Sequence, residues 1–127
     1  MSSFLQDFIN TVFVDAKSVL TWSSSIQIIQ QDENVLVLQS RRRQFVFNKR
    51  FRTVKSGARV LAQFDAIDTV DLIHHSARDD EPDNWSVRLN VQGWLSTVVI
   101  GKTRDDVEAS MAAARISTFT GKNVRTL

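Results

Sequence analysis

The chain opens on a helical period. Phe4, Leu5, Phe8, Ile9, Val12, Phe13, Ala16, Val19 and Leu20 gather on one broad face at about 100° per residue. Asp7, Asn10, Lys17 and Ser18 fall on the other, and Val14 breaks the pattern. Ser3 and Gln6 stand at capping-box spacing just ahead of the run. The pattern predicts an amphipathic helix over residues 1–22, followed by a linker-like serine run.

From Ile26 the period becomes that of strands. Apolar runs Ile26–Gln31 and Val35–Ser40 flank the turn-like Asp32-Glu33-Asn34. Gln44–Lys49 follows three arginines, and a polar loop from Asn48 to Ala58 leads to Arg59–Phe64 and then Ile67–His75. An acidic loop with the sole proline, Pro82, precedes Trp85–Val91, where Trp85, Val87, Leu89 and Val91 alternate with Ser86, Arg88 and Asn90. Gln92-Gly93 suits a two-residue hairpin turn, and Trp94–Ile100 returns.

The last segment is helical again. Thr103 and Asp106 have capping-box-like spacing, the run VEASMAAARISTF favours helix, and Gly121 is a natural stop. A charged stripe of Arg104, Glu108, Arg115 and Lys122 separates two apolar groups. Val107, Met111 and Ala114 form one; Ala109, Ala112, Ile116 and Phe119 form the other. So much apolar surface implies more than one neighbour. The second side is a natural dock for Phe4, Phe8, Val12 and their neighbours, in the same chain or in another copy.

A chain of 127 residues fits one domain and can bury about two thirds of its surface. Residues 26–127 are therefore expected to fold as one α+β, mainly β domain: a seven-stranded sandwich or partly open barrel capped by a C-terminal helix, with the N-terminal helix added. A lipocalin-like barrel would usually need eight strands and a longer chain.

The order of seven strands and a closing helix resembles the pleckstrin-homology (PH-like) superfold, and its details resemble small bacterial PH-like domains. The resemblance rests on FDAIDTV (Phe64, Ile67, Val70), on WSVRLNVQGWLSTVVIG ending at Gly101, and on TRDDVEASMAAARISTFTG. It covers about Ile26 to Gly121 and leaves the first helix outside. It implies two roughly orthogonal antiparallel sheets with the helix plugging an open end. Eukaryotic PH domains typically bind phosphoinositides with the first and third inter-strand loops. Here the first, Gln31 to Asn34, is acidic, so no lipid-binding residues are carried over from the family.

Composition narrows the classes. A hydrophobic fraction of 43% with 24% charged residues excludes disorder over most of the chain. A net charge of +2 argues against a nonspecific nucleic-acid coat. The absence of cysteine removes disulfides, thiolate catalysis and cysteine-based zinc sites, and fits a reducing compartment. No apolar run approaches the ~20 residues that span a bilayer, and no basic region precedes the first apolar segment. The expectation is a soluble, cytoplasmic protein.

What stands out is where the charges lie. Eight of the nineteen residues from Arg41 to Arg59 are basic: Arg41, Arg42, Arg43, Lys49, Arg50, Arg52, Lys55 and Arg59. Seven acids then crowd Asp65 to Asp83. Arginine's planar fork suits phosphate, so the basic stretch could hold a lipid headgroup, a nucleic-acid backbone or an acidic protein surface. Any phosphate binding is expected from the Lys49–Arg59 loop more than from the Arg41–Arg43 turn at the opposite end of the sheet.

Catalytic and metal motifs are lacking: there is no G-x-S-x-G, P-loop, G-x-G-x-x-G or H-E-x-x-H. His74 and His75 point to opposite faces of a strand and cannot share a metal. Asp65, Asp68 and Asp71 read as an exposed rim. The expected function is a non-enzymatic interaction module, without metal or cofactor, that contacts a protein partner or another copy, with the candidate docking helix contributing Phe4, Leu5, Phe8, Ile9, Val12 and Phe13. Phosphate binding through residues 41–59 is the alternative.

Overall fold

The computed structural model describes residues 25–78, 80–92 and 97–127. The expected helix over 1–22, with its candidate docking residues, lies outside them, as do Gly93 and the start of the Trp94–Ile100 strand.

Strands β1 (Gln27–Gln31), β2 (Val35–Ser40), β3 (Arg43–Asn48), β4 (Thr53–Ser56) and β5 (Arg59–Gln63) form a meander in which each strand pairs with the next. A 3₁₀ turn at Phe64–Ala66 carries the chain to β6 (Ile67–His75), which pairs with β7 (Asn84–Val91), and β7 with β8 (Thr97–Thr103). Helix α1 (Asp106–Thr120) follows, and β9 (Asn123–Thr126) then joins β6 in parallel. The described residues are mainly β: two open sheets of five and four strands and one helix near the C-terminus, without closure into a barrel.

Sequence reasoning expects seven strands; the described residues form nine. The Asn48–Ala58 loop contains β4, and β9 follows the helix, which is therefore not the last element.

The core is built as the alternation implies. Leu36, Leu38, Phe45, Phe47 and Val54 of the first sheet face Val70, Val87, Leu89 and Ile100 of the second. Ala109, Ala112, Ala113, Ile116 and Phe119 of α1 pack into the same core. Helix α1 starts two residues later than a Thr103 cap would place it: Asp105 is the cap, accepting from Val107 N at 2.9 Å and Glu108 N at 3.3 Å. Thr103 belongs to β8 and accepts from Asp105 N instead. Gly121 ends the helix at φ 76°, the left-handed stop expected of it.

Each edge of the antiparallel pairing carries an irregularity. Register skips Ile29 in β1, Leu61 in β5 and Ile100 in β8, so the extra residue lies on the edge strand each time.

The C-terminal strand is fastened by charge. Asp71, 6% exposed, accepts from Arg125 Nε at 3.1 Å and Nη2 at 2.8 Å, and from Thr69 Oγ1 at 2.7 Å. It is not part of an exposed acidic rim. Burial pushes its carboxyl up, but the Arg125 fork, the Thr69 hydroxyl and the Arg88 charge outweigh burial and hold it below the ordinary carboxylate value. Stability from this group is therefore present above pH ~4 and lost as pH falls through its lowered folded value. Asp71→Asn should cost about 1–2 kcal/mol at pH 7, less than a fully buried pair because Arg125 is half exposed. Urea midpoints measured at pH 7 and pH 3 test this. The gap between wild type and variant should narrow at the lower pH; a constant gap would refute the assignment.

Candidate functional site

The meander determines which of the eight basic residues meet. Its strands run alternately up and down, so the β1–β2 and β3–β4 connections share one end of the sheet and the β2–β3 and β4–β5 turns the other. The unit expected as a Lys49–Arg59 loop is thereby divided. Lys49, Arg50 and Arg52 lie at the first end; Lys55 and Arg59 lie at the second, beside Arg41, Arg42 and Arg43.

At the first end Lys49, Arg50, Phe51 and Arg52 form a tight four-residue loop. Asn48 Oδ1 accepts from Phe51 N at 3.0 Å, and Lys49 N donates to Asn34 O at 2.8 Å, tying this loop to the β1–β2 turn. Arg52 takes a left-handed φ of 54° so that its carbonyl can accept from Phe64 N at 2.8 Å. Its guanidinium meets Asp65 at 2.9 Å and lies over the Phe64 ring. That hydrogen bond, with the charge behind it, holds the Asp65 carboxyl below its ordinary value. Lys49 Nζ lies 5.8 Å from the Phe119 ring centre. Asp32, in the adjoining turn, accepts from Asn34 N and Val35 N, and these bonds lower its pKa.

Phe51, 69% exposed, tops this loop with the Arg50 guanidinium 5.8 Å from its ring centre. Sequence reasoning does not single it out. The available signal was an aromatic residue flanked by three cations outside the strand period.

At the second end the hairpin turns are two residues each. Arg41 has φ 57° and Gly57 φ 62°, positive at the first central position in both, the sign pattern of a type II′ turn. Ser40 pairs with Arg43 and Ser56 with Arg59, which brings the two turns to the same rim. Arg41, Arg42, Arg43, Lys55 and Arg59 are all exposed, and the Arg43 guanidinium stacks 4.9 Å from the Phe45 ring centre. Among the described residues no carboxylate comes within ion-pair distance of Arg42, Arg43, Lys55 or Arg59. The accessible positive charge is thus richer here than at the Lys49–Arg52 loop.

The helix separates its two apolar groups as its pattern implies. Ala109, Ala112, Ile116 and Phe119 are buried, whereas Val107 is 60% and Met111 47% exposed, with Ala114 exposed beside them. Glu108, on the stripe between, accepts from Ile26 N, so the chain enters β1 beside the first turn of α1. Arg115 reaches Gln31 Oε1 at 2.7 Å.

The histidines do point apart. His74 stacks on Trp85 with ring centres 4.7 Å apart, and His75 Nε2 lies 3.0 Å from Ser86 Oγ on the opposite face. Asp65, Asp68 and Asp71 go to three destinations, Arg52, Gln92 and Arg125. Among the described residues no three His, Asp or Glu side chains gather as a metal site, and no helix is long and apolar enough to cross a membrane. Comparison with protein-family models, with curated proteins and with solved structures returns no match.

Proposed function

We propose that the chain is a non-enzymatic PH-like interaction module that self-assembles by seating its N-terminal apolar segment on the outward side of α1. The observation that carries this reading is the solvent-facing stripe of Val107, Met111 and Ala114 on a helix whose other side is already committed to the core. The occupant follows from where the chain goes. Residues 1–24 precede β1, and the Ile26–Glu108 bond places their exit beside the stripe. Phe4, Leu5, Phe8, Ile9, Val12 and Phe13 supply an apolar face of matching character. Burial of a side chain such as Met111 stabilises the contact by roughly 2 kcal/mol.

Met111→Glu in the full chain is expected to weaken association roughly thirtyfold. Light scattering would read this as a lower native mass, and deletion of residues 1–20 should act in the same direction. If the segment docks within its own copy, the melting temperature falls instead. Unchanged mass in Met111→Glu would sink self-assembly, and unchanged melting temperature as well would sink docking on this face altogether.

A second reading has its own support in the cluster of Arg42, Arg43, Lys55 and Arg59 at one rim: binding of phosphate groups of a lipid or nucleic acid. It separates from the first by salt. Phosphate binding weakens steeply with ionic strength, whereas apolar docking does not.

A further inference from the structure

The outer face of the four-stranded sheet presents a second group of cations, away from the 41–59 stretch. Across it, Lys102 pairs with Ser86, and Arg88 stands between Val99 on one side and Asp71 on the other. Cross-strand partners share a face, so Ser86, Arg88 and Lys102 point the same way. His75, also on this face, reaches Ser86 Oγ at 3.0 Å. Ser86 is 2% exposed even though this is the face turned away from the core.

We propose that His75, Ser86, Arg88 and Lys102 form a binding site for a phosphate-like oxyanion. Three observations converge. First, the natural counter-charge of Arg88 is occupied: Asp71, directly across from it, is held by the Arg125 fork and by Thr69. Among the described residues no carboxylate lies within ion-pair distance of Arg88 or Lys102.

Second, Arg88 Nε is buried and meets no acceptor among the described residues. A buried donor of this kind normally has a partner, and a charged one is costly to leave alone.

Third, like charges crowd one another. Burial is the largest influence lowering the His75 pKa, and Lys102, Arg88, His74 and Arg78 each push the same way. An oxyanion supplies what this arrangement lacks. It accepts hydrogen bonds from the Arg88 guanidinium, the Lys102 ammonium and the Ser86 hydroxyl, and favours the protonated form of His75.

The test uses the full chain at pH 7 and low ionic strength. Inorganic phosphate is titrated calorimetrically, and vesicles carrying phosphatidic acid are offered in a parallel sedimentation assay. Saturable binding of dissolved phosphate assigns the site to a free small oxyanion; binding to vesicles alone assigns it to a headgroup.

In either arm, Lys102→Gln and Arg88→Gln should each weaken binding about tenfold. Arg115→Gln, on α1 and away from both this group of cations and the rim cluster of Arg42 and Arg59, should leave it unchanged. Because Lys102 is exposed, its variant keeps the test valid if Arg88→Gln disturbs the fold. As a second readout, the His75 ring resonances should move on phosphate addition, with a midpoint about tenfold higher in Lys102→Gln than in the wild type. The proposal is overturned if neither probe binds, if Lys102→Gln binds as the wild type does, or if Arg115→Gln loses as much.

Discussion

Replacing Phe64 with alanine is expected to remove about 4 kcal/mol of folding stability, the largest single effect among these predictions. The reason is position rather than size. Phe64 sits in the turn between the two sheets, fully buried. Its ring centre is 6.5 Å from that of Phe47 in β3 and 6.2 Å from that of Phe119 in α1, the latter edge-on. Both geometries lie in the range in which aromatic pairs add to simple burial. The Arg52 guanidinium covers the ring on the loop side. Truncation therefore opens a cavity that three elements would have to close at once. A loss near 4 kcal/mol is a large part of a small domain's stability and lowers Tm by roughly 15 °C. Urea denaturation should show a lower midpoint at similar slope; a loss under about 1 kcal/mol would mean that the site collapses freely.

Gly101→Ala should be nearly as damaging, for the opposite reason. Gly101 lies on the inner face of β8 opposite Val87, with Ser40 of β2 and Ile26 close against it. A methyl group there would lie 2.6 Å from Ser40 Cβ and 3.0 Å from Ile26 Cγ1, and nearer still to Ser40 Oγ. The nearby Cβ belongs to a strand and cannot swing away as a long side chain could. Overpacking of this kind costs about 3 kcal/mol. The double variant Gly101→Ala/Ser40→Gly removes the obstructing atoms and should recover a good part of that loss. Thermal melts of the two single variants and the double variant form a cycle. Strict additivity would show that the close approach to Ser40 is not the cause.

The sequence carried these two sites unequally. FDAIDTV marks Phe64 as apolar before a strand, but nothing in it says that Phe47 and Phe119 converge there. Strands with two clear faces were legible: β3 and β7 alternate strongly enough to fix which side chains turn inward. Helix α1 was legible from its alanines and from Gly121, and so was its division into two apolar sides. The misses have physical causes. In β4 only Val54 faces the core, so four residues among basic neighbours look like loop. In β9 every residue is exposed, and its place is set by backbone pairing and by an ion pair 54 residues distant. No local pattern encodes such a partner. The basic stretch and its division between two ends of a sheet were visible, but which residues share an end depended on the unseen β4, whose presence sends Lys55 and Arg59 back to the arginine turn.

The extra residues at Ile29, Leu61 and Ile100 bear on aggregation. A strand at the margin of a sheet offers its unused amides and carbonyls to any extended chain that passes, and a regular margin is an invitation to fibrils. Here each antiparallel margin is interrupted by one unpaired residue, and the remaining margin, β9, is only four residues long. Strand-to-strand addition is thereby disfavoured at the margins that the described residues form. Such margins leave contacts between copies to side chains, and contacts of that kind can be undone without unfolding either partner.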